Sequence, residues 1–206
     1  NVFMTNGSAG GLNILLKSML NRGDEVIVPT PFFWEFKNYV VNHGGKLKTV
    51  RSKDDFQLDV DRMAAAITPR TRAVLLNSPN NPTGAVYSQK SISDLVALLN
   101  SKRSQGQDIY LIADDAYRKL VFDGITLPNL FKAYDLTFSI NSHSKDLALP
   151  GERIGYIAIS PRMPDAGLLV SGLMITQRTL GFVNAPALFQ RVVAKFQRTS
   201  VDIGEY

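Results

Sequence analysis

The residue with the clearest capacity for chemistry is Lys145, which ends the sequence Ser-His-Ser-Lys. Two hydroxyl side chains, Ser142 and Ser144, lie close to it in the chain, at the end of the strand-like residues 136–141. A lysine amine is a nucleophile only when neutral, a state favoured by desolvation or by cationic neighbours. Arg153 follows a short distance later and could bind a phosphate as a planar, two-pronged donor. This combination suits an amine that must meet a phosphorylated aldehyde.

Pyridoxal phosphate (PLP) is the cofactor that this chemistry requires, because PLP is a phosphorylated aldehyde carried by enzymes as a Schiff base on a lysine. We therefore predict that Lys145 carries PLP. A lysine just past a strand is more often a solvated charge. The prediction thus depends on which other residues the fold brings to the same place.

The alternation of strands and helices predicts an α/β fold with three layers, a mostly parallel, seven-stranded sheet with helices on both faces. The predicted strands are residues 2–6, 24–29, 46–51, 73–76, 109–113, 136–141 and 153–159. The predicted helices are residues 12–20 (closed by Gly23), 32–40, 60–67, 88–104, 168–176 and 187–198. In parallel α/β sheets, ligands bind at the carboxyl ends of the strands.

Several of these strand ends carry polar groups suited to one cofactor. Residues 7–11, Gly-Ser-Ala-Gly-Gly, form a turn between a strand and a helix, and the backbone N–H groups of such a turn can bind phosphate. Asn81 lies in a rigid polar loop after the fourth strand, and Asp114 and Tyr117 follow the fifth. Phe33 follows the second strand and could stack on a flat ring. Chance explains any one of these features, but not all of them together.

This set resembles the fold-type I PLP enzymes, and within them the class I and II aminotransferases of the aspartate aminotransferase superfamily. The resemblance covers about the first 160 residues, in family order. Its motifs are Asn-Asn-Pro-Thr-Gly at 80–84, Asp-Asp-Ala-Tyr at 114–117, Ser-His-Ser-Lys at 142–145 and Gly-Glu-Arg-Ile-Gly-Tyr at 151–156, with the loop at 7–9 and Pro-Phe-Phe at 31–33.

The resemblance implies a role for each residue. Lys145 would attach the cofactor and then act as general acid and base at the substrate α-carbon, while Asp114 would pair with the pyridinium nitrogen. Asn81 and Tyr117 would hydrogen-bond the phenolic oxygen, and Phe33, where many relatives carry tyrosine, would lie against the ring. The phosphate partners would be the N–H groups of Ser8 and Ala9, the Ser142 hydroxyl and Arg153, with Ser144 as a further partner. No metal is expected.

The implied activity is transfer of an amino group from an amino acid to a 2-oxo acid. The same cofactor residues occur in carbon-sulfur lyases and in enzymes resembling aminocyclopropane-carboxylate synthase, so these remain alternatives. An aminotransferase-like domain of a DNA-binding transcriptional regulator is another, and a folded domain that no longer binds PLP is the last. Nucleic acid is expected as a partner only for the regulator.

The resemblance further implies that residues 1–206 are the large, PLP-binding domain of a longer enzyme, with residues 162–206 as its mainly helical end. Relatives have an N-terminal arm and a smaller domain, which supplies an arginine for the substrate carboxylate, and nothing after Arg198 could play that part. We expect the isolated piece to turn over at least about a thousandfold more slowly, a loss of roughly 4 kcal/mol. A homodimer is expected, with residues 181–186 as a plausible donor to the partner's site.

Composition sets the broad class. The chain has 206 residues, 45% of them hydrophobic, which is enough for one well-buried domain. No apolar run approaches the roughly 20 residues of a membrane span, so no membrane partner is expected. The formal charge of +5 comes from scattered basic residues, which favours solvated faces over a nucleic-acid site. The sequence has no cysteine, which fits a reducing compartment, and we expect the cytoplasm.

Overall fold

The computed structural model describes residues 1–197 and 199, and a seven-stranded sheet runs through them. The strands are β1 (Val2–Thr5), β2 (Glu25–Thr30), β3 (Lys46–Arg51), β4 (Thr71–Asn77), β5 (Tyr110–Asp114), β6 (Thr137–Ser142) and β7 (Gly155–Ile159). Their order in the sheet is β1-β7-β6-β5-β4-β2-β3. Strand β7 runs antiparallel to β1 and β6, and the other neighbours are parallel. The predicted mostly parallel α/β sheet is confirmed.

The helices pack as two sets that flank the sheet. They are α1 (Gly7–Met19), α2 (Glu35–Asn42), α3 (Val60–Ala66), α4 (Gln89–Ser104), α5 (Leu130–Ala133), α6 (His143–Asp146), α7 (Ala166–Thr179) and α8 (Ala187–Phe196). Helix α1 contacts α2 and α7, whereas α4 contacts α3 and α5. None of the helices described in residues 1–197 combines the length and the apolar character needed to cross a membrane.

The centre of the sheet is fixed by an apolar run in β4. Ala73, Val74, Leu75 and Leu76 are all at most 1% exposed, because helices cover both faces of a parallel sheet. Burial of one leucine-sized side chain contributes about 1.5 to 3 kcal/mol. Helix α4 begins after Ser88, whose hydroxyl accepts a hydrogen bond from the Ser91 N–H at 3.1 Å. Because β4 runs parallel to β2 and β5, its carboxyl end lies at the same edge of the sheet as theirs.

The first two helices differ from the predicted bounds. Helix α1 begins at Gly7, so the predicted turn at residues 7–11 is the first part of the helix itself. It ends at Met19, since Leu20 is already extended, and Gly23 (φ +86°) instead forms the turn into β2. Helix α2 begins only at Glu35, so Phe32 and Phe33 precede it. The apolar spacing predicted a start that was too early, because Phe32 and Phe33 pack against the core from a segment that is not helical.

At the other end of the chain, α8 ends at Phe196, before the predicted bound at residue 198. Residues 198 and 200–206 lie outside the described part of the chain, and so does most of the predicted polar end. Two one-turn helices, α5 and α6, were not predicted, because four residues are too few to show helical periodicity. Helix α6 matters most, since Lys145 lies in it rather than in a loop.

Gly155 marks the closest approach between β7 and the start of α1. A Cβ atom at this position would lie 2.6 Å from the Asn141 carbonyl oxygen and 2.8 Å from the carbonyl carbon of Gly7. Both are backbone atoms, so we expect Gly155→Ala to lower the free energy of unfolding by about 1 to 3 kcal/mol, measured by urea denaturation. The control is Gly172→Ala in α7, where a Cβ would meet nothing within 4 Å. It should instead stabilise by about 0.5 to 1 kcal/mol, and equal effects of the two changes would contradict the close approach.

Candidate active site

One cavity forms where the central strands end. In the parallel strands β4 and β5, Asn77 is aligned with Asp114, and Asp114 is in turn aligned with Ile140 of β6. This edge, the start of α1 and the segment before α2 enclose a volume of about 320 Å³. All ten residues predicted from the sequence line it: Ser8, Ala9, Phe33, Asn81, Asp114, Tyr117, Ser142, Ser144, Lys145 and Arg153.

Lys145 is half-buried in α6, and its Nζ lies 5.8 Å from the centroid of the Tyr117 ring. The Tyr117 hydroxyl accepts a hydrogen bond from Asn81 Nδ2 at 3.3 Å. Within the described residues, no carboxylate forms an ion pair with Lys145. The amine therefore lies beside an aromatic ring and two hydrogen-bonding groups, with no counter-ion to hold it away from a ligand.

Asp114 ends β5 with its side chain in the cavity and is only 7% exposed. Burial raises the pKa of its carboxyl from 3.8 to about 7; the Ala116 N–H, a donor at 3.3 Å, opposes the rise and the charge of Asp115 adds to it. No cation among the described residues pairs with it. A buried carboxyl without a cationic partner fits a ligand that brings a cationic ring nitrogen.

The other end of the cavity is a set of donors for an anion. Helix α1 begins there, and the Asn6 side chain donates or accepts no capping bond in the described structure, so the first backbone N–H groups stay available. The Arg153 guanidinium packs against Gly7, where a Cβ would lie 2.6 Å from Nη2. A cation and a helix N-terminus together fit a phosphate. The two ends thus match the two charged parts of PLP.

The structure adds cavity residues that the sequence reasoning missed, among them Glu35 and Tyr39. Tyr39 lies in the predicted helix of residues 32–40, where its ring is typical of an apolar helix side, but its hydroxyl donates a hydrogen bond to Glu35. Burial, reinforced by this bond to Glu35, raises the pKa of Tyr39, so the hydroxyl stays protonated. The available signal was their spacing, since residues four apart on a helix are neighbours.

Asn77 was also missed, although it ends β4 as Asp114 ends β5. Its Nδ2 donates to the Asp114 carbonyl oxygen at 3.0 Å, and its Oδ1 accepts from the Asn81 N–H at 2.7 Å. Both bonds go to the backbone. Asn77 therefore fixes the strand end that carries Asp114 and the loop that carries Asn81.

Asp115, next in sequence to Asp114, points away from the cavity. Its carboxylate accepts a hydrogen bond from the Ser139 hydroxyl and lies 3.8 Å from Arg118 Nη1. Successive residues at a strand end point to opposite faces, so one aspartate enters the cavity and the other does not.

A model of the family described as Aminotransferase class I and II matches residues 1–202. The chain belongs to this aminotransferase family. A probable aspartate aminotransferase from Methanocaldococcus jannaschii is 29% identical over 163 residues, covering 79% of this chain and 42% of that protein. An aspartate aminotransferase from Rhizobium meliloti is 38% identical over 158 residues, covering 72% of this chain and 38% of that protein. The resemblance drawn from the motifs is confirmed.

The fold of an aminotransferase from Eubacterium rectale is very similar, with a TM-score of 0.95 and 41% identity over 100% of this chain and 52% of that one. This chain therefore spans about two fifths of the curated relatives it matches and about half of that solved structure. Class I and II aminotransferases are PLP-dependent. The family and the charges of the cavity indicate the same cofactor.

The two adjacent aspartates give a matched test of the site. We expect Asp114→Asn to lower amino-transfer activity of the full-length protein by roughly 10- to 1,000-fold, because a carboxylate beside a ring nitrogen shifts its pKa by about 1 to 3 units. Asp115→Asn, outside the cavity, should cost far less. Steady-state kinetics at saturating PLP measures both, and equal losses would contradict the placement of Asp114.

Asp114→Asn should lower activity, but it should raise the stability of the PLP-free protein. With its pKa raised to about 7, Asp114 binds its proton more tightly in the folded state, so its contribution to stability falls as pH rises from about 4 to 7. Asp114→Asn removes this loss and should stabilise at pH 8 by on the order of 2 to 4 kcal/mol relative to wild type, but by little at pH 4. Urea denaturation at both pH values measures the difference. A difference independent of pH would mean that Asp114 is ionised without cost.

Proposed function

We propose that this chain binds PLP and forms the cofactor-binding part of an enzyme that transfers an amino group from an amino acid to a 2-oxo acid. The observation that carries the proposal is that Lys145, the cation-free Asp114 and the donors at the start of α1 line one cavity. The aminotransferase names of the relatives support the reaction type. These names do not favour the lyase or regulator alternatives.

Bound PLP supplies an aldehyde that accepts amines and a ring that withdraws electrons from the substrate α-carbon. Lys145 would be the attachment point, and its released Nζ would then remove the substrate α-proton as a base and deliver it, as an acid, to the carbon of the cofactor that was the aldehyde. The absence of an ion pair to Nζ among the described residues leaves the amine free for both tasks. Its place beside the Tyr117 ring keeps it within the cavity.

The remaining residues bind and orient. Asp114 is the partner of the ring nitrogen, since its buried carboxyl gains most from a cation. The hydrogen-bonded pair Asn81 and Tyr117 would meet the phenolic oxygen, and Phe33 would lie against the ring. The phosphate is held by the N–H groups of Ser8 and Ala9, the hydroxyls of Ser142 and Ser144, and Arg153. The substrate carboxylate needs an anchor that we place in another part of the full-length enzyme.

We propose further that residues 1–206 form the large domain of the enzyme, with residues 162–206 as its helical end. The coverage of the relatives supports this, since the match extends over only 38% to 42% of their length. We place the enzyme in the cytoplasm, on the absence of cysteine from the sequence.

A homodimer is the assembly we propose for the full-length enzyme. Apolar side chains are exposed along the two last helices, including Leu168 and Ile175 of α7 and Leu188 of α8. The segment at residues 181–186 joins these helices and is the proposed donor to the partner's site. Light scattering of the full-length protein should give twice the mass of one chain. A mass of one chain would contradict the dimer.

The experiment that tests the function is an absorbance spectrum of the full-length protein with PLP, followed by a panel of amino acids. A band from lysine-bound PLP should form and then change with each amino donor. Lys145→Ala should abolish the band, because the amine that attaches PLP is gone. Lys132→Ala is the control, since Lys132 is an exposed residue of α5 outside the cavity. A reduced cofactor found on any lysine other than Lys145 after borohydride treatment would contradict the assignment, and the absence of any band would contradict the proposed function.

A further inference from the structure

Helix α6, which carries Lys145, is too short to be stable on its own. It has four residues, His143–Asp146, and isolated helices shorter than about 12 residues are marginal in water. Ser142 precedes it, but the Ser142 side chain makes no capping hydrogen bond within the described structure. The position of Lys145 must therefore be fixed by contacts from outside the helix.

The first of these contacts are with the backbone of residues 149–154, the segment that contains Arg153. The His143 N–H donates to the Ile154 carbonyl oxygen at 3.0 Å, and the Leu149 N–H donates to the His143 carbonyl oxygen at 3.1 Å. Both bonds hold the first residue of the helix. They leave the end of this one-turn helix, where Lys145 and Asp146 lie, to be held by side chains.

Asp146 supplies the side-chain contacts. It directly follows Lys145, its side chain is 5% exposed, and both of its oxygens lie 3.2 Å from His143 Nδ1. Its Oδ2 also lies 3.0 Å from Nζ of Lys119. Burial opposes ionisation, but the hydrogen bonds from His143 and Lys119 outweigh it and hold the pKa of Asp146 below its usual value. A buried carboxylate is thus balanced by partners on either side.

Lys119 belongs to a different segment of the chain. It lies two residues after Tyr117, in a turn that follows β5 and is closed by bonds from Arg118 N–H to Asp115 O and from Leu120 N–H to Tyr117 O. The ion pair therefore joins the segment of Asp114 and Tyr117 to the segment of Ser142 and Lys145. In contrast, the exposed pair Lys90–Asp94 joins two residues of one helix, where it fixes nothing beyond that helix.

We infer that Asp146 is a positioning residue for Lys145, and that its ion pair with Lys119 sets where the amine lies relative to Tyr117. The inference rests on the proposed PLP chemistry. Loss of the Lys119 cation leaves His143 as the remaining partner of the buried carboxylate, and the end of α6 shifts as the unpaired oxygen turns toward water. Lys145, the neighbour of Asp146, shifts with it.

The test measures the rate at which added PLP attaches to the full-length protein. In this step Nζ of Lys145 joins the aldehyde carbon with loss of one water, and borohydride then reduces the new C=N bond so that peptide mapping can confirm the residue. Lys119→Met should slow attachment by about 10- to 100-fold, because a misplacement of 1 Å can cost about 100-fold. Lys119→Arg, which keeps the cation, should restore the rate to within about threefold of wild type. Lys90→Met, which removes the exposed pair on α4, should leave the rate unchanged.

Thermal unfolding of each PLP-free variant separates positioning from stability. Lys119 is 62% exposed, so Lys119→Met should fold, and attachment is measured well below its midpoint. A purely structural role would lower the midpoint and leave the attachment rate as in wild type, and that result would overturn the inference. Asp146→Asn is the second variant, and together with Lys119→Met it should slow attachment no more than either change alone. If wild type forms no PLP band, the proposed function fails; if wild type attaches PLP and Lys119→Met attaches it equally fast, only this inference fails.

Discussion

The hydrogen bonds of Asn77 hold the active edge of the sheet together. A parallel sheet brings strand ends to one edge, but it does not fix the loops that leave them, which are free to diverge. Asn77 fixes two of these segments at once, because its side-chain amide hydrogen-bonds both the end of β5 and the loop after β4. The carboxyl of Asp114 and the amide of Asn81 then hold fixed positions, and the Tyr117 hydroxyl is bound to Asn81 in turn. An apolar residue at position 77 would keep the strand but would lose the hydrogen bonds to the end of β5 and to the loop after β4.

The cavity built on this edge is electrostatically incomplete. Asp114 is buried without a cation among the described residues, and the start of α1 has no side-chain cap from Asn6. Arg153 lies near the same helix start with no carboxylate partner in the described part of the chain. The first two features are unfavourable alone, whereas Arg153 is exposed and solvated. All three are satisfied by a ligand with a cationic ring nitrogen at one end and an anionic phosphate at the other. Stability given up at these positions is recovered only on binding, which is the usual relation between a functional site and its fold.

The sequence was informative where physical signals are local. Short runs of strand-like residues identified all seven strands, and β3 was predicted with its observed bounds, Lys46–Arg51. Polar residues just past those runs identified the cavity, because the carboxyl ends of parallel strands meet. The failures have local causes too. Tyr39 has an apolar ring and a polar hydroxyl, so spacing alone could not show which end mattered, and α6 is too short to give a period. The ion pair of Lys119 and Asp146 left no sequence signal, since the two residues are distant in the chain and their approach depends on the packing of β5 against β6.

The contrast between a fixed backbone and a free side chain explains why Lys145 sits in so short a helix. In the proposed function its amine first attaches the cofactor and later acts at the substrate α-carbon, so an ion pair to Nζ would hinder one of the two positions. The described structure has no such pair; the neighbouring carboxylate, Asp146, is turned to Lys119 and His143 instead. Tethering the backbone through Asp146 limits the error in position without restricting the four-carbon side chain of the lysine. One turn held by side-chain contacts thus combines a fixed backbone with a mobile amine.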